Sequence, residues 1–196
     1  MVNSFCKAED YQQILNVREN VSIIRFSKEP IMEPVYEGEG EDMHPTGEYV
    51  DSGLVKFTEE TIIGELTPEK IIDVRLHEVD VYDASEDVNL IFVNGKPMWF
   101  DKVTRTCISY SMQIEKEAGN TTTTLYDNDG TAYVLPIDDA LSMFGAVELY
   151  AKACYNKTQE HKDNLKALTT VQEALDYNIK TGYPEKLKFT TPQESE

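Results

Sequence analysis

A helix-start signal at Thr67 divides this sequence into two parts with different periodicity. Thr67 fits an N-cap, Pro68 fits the first helical position, and Glu69 lies where the helix dipole favours an acid. Before this signal, residues 21–26 and 48–57 are β-branched or alternating runs, which predict strands. After it, hairpin and helical patterns follow one another. The sequence therefore predicts an α+β fold whose N-terminal part is rich in strands.

Charge also changes along the chain, near residue 90. The chain has a formal net charge of −18, and residues 1–90 carry more than half of its 36 acidic residues but fewer than half of its 18 basic ones. We predict an acidic, β-rich N-terminal region over residues 1–66, an α+β domain over residues 67–189 and a flexible tail over residues 190–196. Residues 36–47, rich in glycine and acid, predict a mobile, exposed loop between the two strands.

The second part contains two hairpin signals. Asn94-Gly95 lies between the apolar residues 90–93 and residues 96–100, and both turn residues tolerate the positive φ of a tight hairpin turn. Asp-Gly at residues 129–130 predicts a second hairpin with a tight or bulged turn.

Residues 101–118 fit two patterns. Residues 108–114 alternate as in a strand, whereas a helix would bring four residues to one face: Val103, Cys107, Tyr110 and Ile114. Asp101 as a cap and Gly119 as a stop favour the helix. A long C-terminal helix is predicted after Pro136, and its pattern allows a break at Asn156.

A short closing helix is predicted at the end of the domain. Thr170 and Glu173 form a capping-box signature, and Gly182 and Pro184 are the predicted stop.

No enzyme motif is present in the sequence. It lacks a nucleophile elbow, a P-loop, a dinucleotide-binding glycine pattern and the paired histidines of zinc proteases, so we predict a protein that is not an enzyme and uses no cofactor. Cys154 and His161 lie too far apart on one helix for a Cys-His pair, about 10 Å between their Cα atoms. We predict a core thiol and a surface imidazole. We interpret the acidic clusters as turn-forming residues and as surface charge that increases solubility, and not as a metal site.

Charge and hydropathy exclude several kinds of partner. Nucleic-acid binding needs clustered lysine and arginine, which this acidic chain lacks. No apolar run approaches the length of a membrane span, and the N-terminus has neither the basic start nor the apolar centre of a signal peptide. Three widely spaced cysteines fit reduced thiols. We therefore expect no nucleic-acid or membrane partner, and synthesis in a cytoplasm.

Two groups of residues are candidates for contact with another protein. One is the acidic strip of the predicted loop: Glu37, Glu39, Glu41 and Asp42. The other is aromatic: Trp99, Tyr150 and Tyr183, which are expected to be structural anchors and become interface candidates only where they are exposed together.

The sequence also resembles a known family. The features that carry the resemblance are the Tyr-Asp-x-Ser segment at residues 82–85, the hairpin that ends in Trp99, the Asp-Lys-x-Thr-Arg turn at residues 101–105, and the Leu-Thr-Thr helix before Gly-Tyr-Pro at residues 168–184. In these it is similar to phage and prophage proteins of gut Bacteroidales that share a C-terminal domain of unknown function, with relatives in tail-region and tail-fibre-associated proteins. The resemblance covers about the last two-thirds of the chain, but position 178, where relatives have aspartate, is Asn178.

The resemblance implies a phage setting and supplies no catalytic residues. It favours a virion structural or assembly protein of the tail region that contacts other phage structural proteins, as a homo- or hetero-oligomer in a symmetric assembly. The alternative is a tail-fibre assembly chaperone that is absent from the particle. A third hypothesis is an acidic DNA mimic that inhibits a host enzyme, although its acids alternate with bases instead of forming phosphate-like rows.

Overall fold

The computed structural model describes residues 1–38 and 42–191. Among these residues, the α+β class is confirmed, with a strand-rich N-terminal part. The strands are β1 Val2–Lys7, β2 Ile14–Arg18, β3 Val21–Glu37, β4 His44–Ile63, β5 Leu90–Val93, β6 Lys96–Trp99, β7 Thr122–Tyr126, β8 Ala132–Pro136 and β9 Lys188–Phe189. The helices are α1 Pro68–Asp83, α2 Glu86–Asn89, α3 Lys102–Glu117, α4 Ile137–Ala167 and α5 Val171–Asp176.

The chain divides into two compact units. Unit 1 contains the described residues of Met1–Leu76 together with Leu165–Ile179, and unit 2 contains His77–Asn164 together with residues 180–191. This division differs from the predicted boundary between residues 66 and 67. The physical reason is that α5 belongs to the apolar cluster of unit 1, which local sequence patterns cannot show.

Unit 1 is built on an antiparallel sheet with the strand order β1-β4-β3-β2. Alternate residues of β3, Ile24 and Phe26, are buried with Ile71 of α1 and Leu175 of α5. On the opposite face of the sheet, the Phe57 ring packs edge-on against the Tyr11 ring, with centroids 5.3 Å apart. The sheet is therefore covered by apolar contacts at this end of its two central strands.

Arg75 is the largest fully buried side chain of unit 1. Its guanidinium lies 4.7 Å from the Phe26 ring centroid and donates to the Ser27 hydroxyl at 3.2 Å and to the Tyr177 carbonyl oxygen. Ser27 has φ 53° at the first irregularity of the β3–β4 pairing. Arg75 thus links α1 to the distorted part of β3 and to the residue that ends α5.

Unit 2 packs two hairpins and two helices around one apolar core. β5 and β6 form the predicted hairpin, with φ 50° at Asn94 and 77° at Gly95, and β9 adds to β5 in parallel. β7 and β8 form the second predicted hairpin. The core contains residues from all of these parts: Ile91, Val93, Met98, Phe100, Met112, Leu125, Leu135, Ile137, Ala140, Met143, Phe144 and Val147.

Helix termini follow the predicted signals in most places. The Asp101 carboxylate accepts from Thr104 N at 2.7 Å, so residues 102–117 form a helix and not a strand. α4 is continuous, with no break at Asn156. The Thr170 hydroxyl caps α5 by accepting from Glu173 N at 3.2 Å, but α5 ends at Asp176, before the predicted stop at Gly182, and this prediction is wrong.

The loop predicted over residues 36–47 is also largely wrong. β3 continues to Glu37 and β4 begins at His44, so Pro45 and Gly47 lie within a strand. Irregular pairing accommodates both residues, as described below. Residues 39–41 and 192–196 lie outside the described residues, and with them most of the predicted tail.

Candidate interaction surface

The central hairpin of unit 1 is longer than the sheet that it belongs to. β2 pairs with β3 only over residues 21–24, and β1 pairs with β4 only from Leu54 onward. Among the described residues, 31–37 and 44–53 therefore pair only with each other, and we call them the arm. Seven residues of β3 at about 3.3 Å each give the arm a length of about 23 Å.

A four-residue repeat in β3 explains how the arm is built. Its sequence is Glu-Pro-Ile-Met at residues 29–32 and Glu-Pro-Val-Tyr at residues 33–36. Both prolines lie on a strand that has no neighbour on its other side in this part of the hairpin, where a missing N–H is tolerated. The pairing Pro30↔Val55 is followed by Pro34↔Tyr49, so each repeat uses four residues of β3 and six of β4.

The extra residues of β4 form two equivalent bulges. In one, the Ser52 hydroxyl donates to the Ile31 carbonyl oxygen at 2.6 Å and accepts from Leu54 N at 3.2 Å. In the other, the Thr46 hydroxyl donates to the Val35 carbonyl oxygen at 3.1 Å and accepts from Glu48 N at 3.2 Å.

A glycine at positive φ follows each hydroxyl residue: Gly53 at 72° and Gly47 at 85°. No L-residue adopts this conformation easily, which explains the glycines inside a strand. Repeated bulges increase the right-handed twist of the ribbon and bend the bulged strand at fixed positions.

The arm exposes large apolar side chains. Met32, Tyr36, Tyr49 and Val50 are all exposed. The register Met32↔Asp51 and Pro34↔Tyr49 places Met32 and Tyr49 on one face of the ribbon. Because a two-stranded ribbon is only marginally stable alone, and because exposed apolar groups mark contact sites, the arm fits a surface that another molecule covers.

The charge of the arm has one sign. The residues between Lys28 and Lys56 include eight acidic residues and no lysine or arginine. At the base, the Glu29 carboxylate accepts from Lys56 Nζ at 2.9 Å. Beyond this ion pair the surface is acidic and apolar, so the chemistry that it suits is a basic surface with apolar pockets.

Two residues of the predicted acidic strip, Glu37 and Asp42, lie at the end of the arm. Glu37 and Asp42 are exposed, Glu37 pairs with His44, and His44 Nδ1 donates to the Asp42 carbonyl oxygen at 3.0 Å. Glu39 and Glu41 lie outside the described residues. The exposed apolar residues of the arm were not predicted as site residues, although the repeat of Glu-Pro-aliphatic and the two hydroxyl-glycine pairs were available as signals.

The three aromatic candidates lie in unit 2 and do not form one exposed group. Tyr150 is buried, and its hydroxyl donates to the Val88 carbonyl oxygen at 3.1 Å. Tyr183 is half-buried and packs edge-on against Tyr82, with centroids 5.2 Å apart. Trp99 is half-buried in β6, where its backbone N–H donates to the Asn128 side chain at 3.0 Å. Their contacts are those of structural anchors.

His161 is buried at 1 % exposure, so the prediction of a surface imidazole is wrong. Its ring stacks on Tyr183, with centroids 5.5 Å apart, and Nε2 hydrogen-bonds to the Thr181 carbonyl oxygen at 2.9 Å. Burial lowers the pKa of His161, which outweighs the opposite effect of the Thr181 carbonyl. The neutral ring with a proton on Nε2 suits this environment.

A small cavity of about 120 Å³ in unit 2 offers no catalytic pair. Asp83, Arg105 and Cys154 are among its lining residues, but neither His77 nor His161 is. Burial raises the pKa of the Cys154 thiol, which keeps it protonated and unreactive. The Asp83 carboxylate is already engaged, since Thr158 Oγ1 donates to it at 2.6 Å.

Within residues 1–38 and 42–191, no group of three histidine, cysteine or acidic side chains could hold a metal ion. In the same residues, no helix has both the length and the apolar character that a membrane crossing requires.

The chain was compared with known proteins at three levels. No protein-family model, no curated protein and no solved structure matches it.

Proposed function

We propose that this protein is a structural or assembly component of a bacteriophage particle, in the tail or a tail appendage, and that it acts through protein–protein contacts and not as an enzyme. The observation that carries the contact role is the arm, an acidic and apolar ribbon that extends beyond the sheet of unit 1. The phage setting comes from the family resemblance of residues 82–184. The protein is made in the host cytoplasm and becomes part of the virion.

The partners are other phage structural proteins, arranged with the symmetry of the site that they share. A basic partner surface with apolar pockets complements the arm. The acidic residues of the arm increase the rate of encounter with such a surface, and the exposed side chains of Tyr49 and Met32 supply contact area in the complex. The arm then gains the covering layer that a ribbon needs for stability.

The first experiment measures the copy number of the protein in the particle. Gradient-purified particles of the encoding phage are analysed by quantitative mass spectrometry, with the major capsid protein as the internal reference. A fixed, integral copy number supports the proposal. Absence from particles, together with abundance in infected cells, contradicts it and favours the assembly chaperone.

The second experiment tests the arm. Tyr49→Ser and Met32→Ser are combined and supplied in trans to a phage that lacks the gene. We expect the variant to fold like the wild type but to be lost from particles. As a matched control, Tyr126→Ser and Val134→Ser remove two exposed apolar side chains of unit 2 and should leave incorporation unchanged.

A further inference from the structure

α3 has an apolar side that its own unit does not cover. Its buried side contains Met112, with Ile108 packed partly against the same core. On the opposite side lie four exposed residues, which we call the α3 stripe: Val103, Cys107, Tyr110 and Ile114. Sequence periodicity identifies this row as a helical face, but the structure turns it to solvent.

The spacing of the α3 stripe is that of a helix-pairing seam. Its steps are four, three and four residues, which keep the side chains in line along a helix that packs against another helix. The residues beside it, Thr104, Thr106, Ser111 and Gln113, are uncharged and do not repel a second helix. On one side the stripe borders an open groove of about 470 Å³ lined also by Leu141 and Gly145 of α4.

We infer that the α3 stripe pairs with the α3 stripe of a second copy of this chain, in antiparallel orientation about a twofold axis. A twofold contact must be complementary to itself. An axis between residues 108 and 109 places Val103 opposite Ile114 of the other copy, and Cys107 opposite Tyr110. Every member of the stripe then has an apolar partner.

Charge selects the antiparallel direction. α3 begins with the exposed Lys102 and ends with the exposed Glu117. Antiparallel pairing brings Lys102 of one copy near Glu117 of the other, and it places the positive helix end beside the negative one. Parallel pairing would bring like charges and like helix ends together. The inference does not depend on the proposed phage role.

The contact is small. One helical face with four apolar residues is well below the 20 to 30 residues per partner of a standard stable interface, so we expect a weak dimer in solution. A symmetric assembly that already holds copies side by side raises their effective concentration and strengthens such a contact.

Sedimentation equilibrium of the full chain tests the dimer, over about 10 μM to 1 mM. We expect reversible dimerisation and at least about a tenfold increase in dissociation constant for Tyr110→Ser. Tyr126→Ser is a matched control, because Tyr126 is 65 % exposed and Tyr110 is 66 % exposed. A monomer at all concentrations, or equal effects of the two substitutions, overturns the inference.

Disulfide formation tests the direction. In a background with Cys6→Ser and Cys107→Ser, one variant carries Val103→Cys and another carries Ile114→Cys. Antiparallel pairing predicts a crosslink only when the two are mixed, since two copies of position 103 are about 16 Å apart along the helix axes. Crosslinking of either variant alone, or none in the mixture, contradicts the antiparallel pairing.

Discussion

Two hairpins, β5–β6 of unit 2 and the arm of unit 1, both have prolines in their strands but differ in what covers them. The β5–β6 hairpin has four-residue strands, a tight turn at Asn94-Gly95 and buried side chains at Ile91, Val93 and Met98. The arm is longer, bulged and exposed along both strands. Strand pairing alone is therefore not what stabilises a hairpin in this protein. Burial does so in unit 2, and for the arm we propose that a partner has this role.

The largest expected effect is on the free energy of unfolding, in a comparison of substitutions at two methionines. Met98 of β6 is 1 % exposed, whereas Met32 of the arm is 47 % exposed. Met98→Ala leaves a cavity in the core of unit 2 and should reduce the free energy of unfolding by about 2–5 kcal/mol. Met32→Ala should change it by less than about 0.5 kcal/mol. Urea denaturation followed by circular dichroism measures both, and equal losses would remove the distinction between the hairpins.

A smaller loss is expected at the base of the arm. Arg75→Met keeps the volume of the side chain but removes the hydrogen bonds to Ser27 and Tyr177 and the contact of the guanidinium with the Phe26 ring. The expected cost is about 1–3 kcal/mol, accompanied by faster protease cleavage between residues 28 and 56. Arg18→Met, at an exposed arginine of the same unit, is the control. Unchanged cleavage of Arg75→Met would show that Arg75 does not hold the arm.

Acid should destabilise unit 2 through His161. Its pKa in the folded protein is lowered by burial, so the unfolded chain binds more protons below the ordinary histidine value of about 6.5. The contribution of neutral His161 to stability is complete above that pH and decreases as the pH falls toward the lowered pKa. His161→Gln keeps a donor for Thr181 and should flatten this part of the stability–pH curve.

The matched control for this pH dependence is His77→Gln, at an exposed histidine of the same unit. It should leave the curve unchanged. If His161→Gln and His77→Gln give the same curve as the wild type, another group is responsible for any acid sensitivity in this range.

The smallest effect on stability is expected at the end of the arm. Replacing Glu37, Glu39, Glu41 and Asp42 with serine should change the free energy of unfolding by less than about 0.5 kcal/mol, because Glu37 and Asp42 are exposed. Rebinding to particles that lack the protein should weaken at low ionic strength, where charge attraction is strongest. Binding equal to the wild type in low salt contradicts a role for the strip.

A control for net charge removes four acids elsewhere on the surface. The substituted residues are Asp10, Glu19, Glu65 and Glu86, all exposed. This variant has the same total charge as the strip variant. If both variants lose binding equally, the effect comes from overall charge and not from the arm.

Local signals predicted much of the fold. Thr67, Asp101 and Thr170 mark helix starts because a capping side chain acts within three residues, and Asn94-Gly95 marks a turn because positive φ is a local requirement. The return of α5 to unit 1 and the pairing of β9 with β5 join distant parts of the chain. No local pattern contains that information.

The candidate surfaces were harder to predict for a different reason. Periodicity correctly places the residues of the α3 stripe on one helical face. It cannot distinguish a face that packs on the core of its own unit from a face that is exposed to solvent. His161 was assigned to the surface because polar residues usually lie there, and only the stacked Tyr183 ring and the Thr181 carbonyl explain its burial. In the arm, prolines and glycines suggested a loop because the bulges that accommodate them depend on the opposite strand.

The repeat in the arm also makes its length adjustable. One more copy, with four residues in β3 and six in β4, adds about 13 Å of reach and leaves the register at the base as it is. A variant that gains or loses ten residues, one whole repeat, would therefore change the length of the arm without redesign of either compact unit.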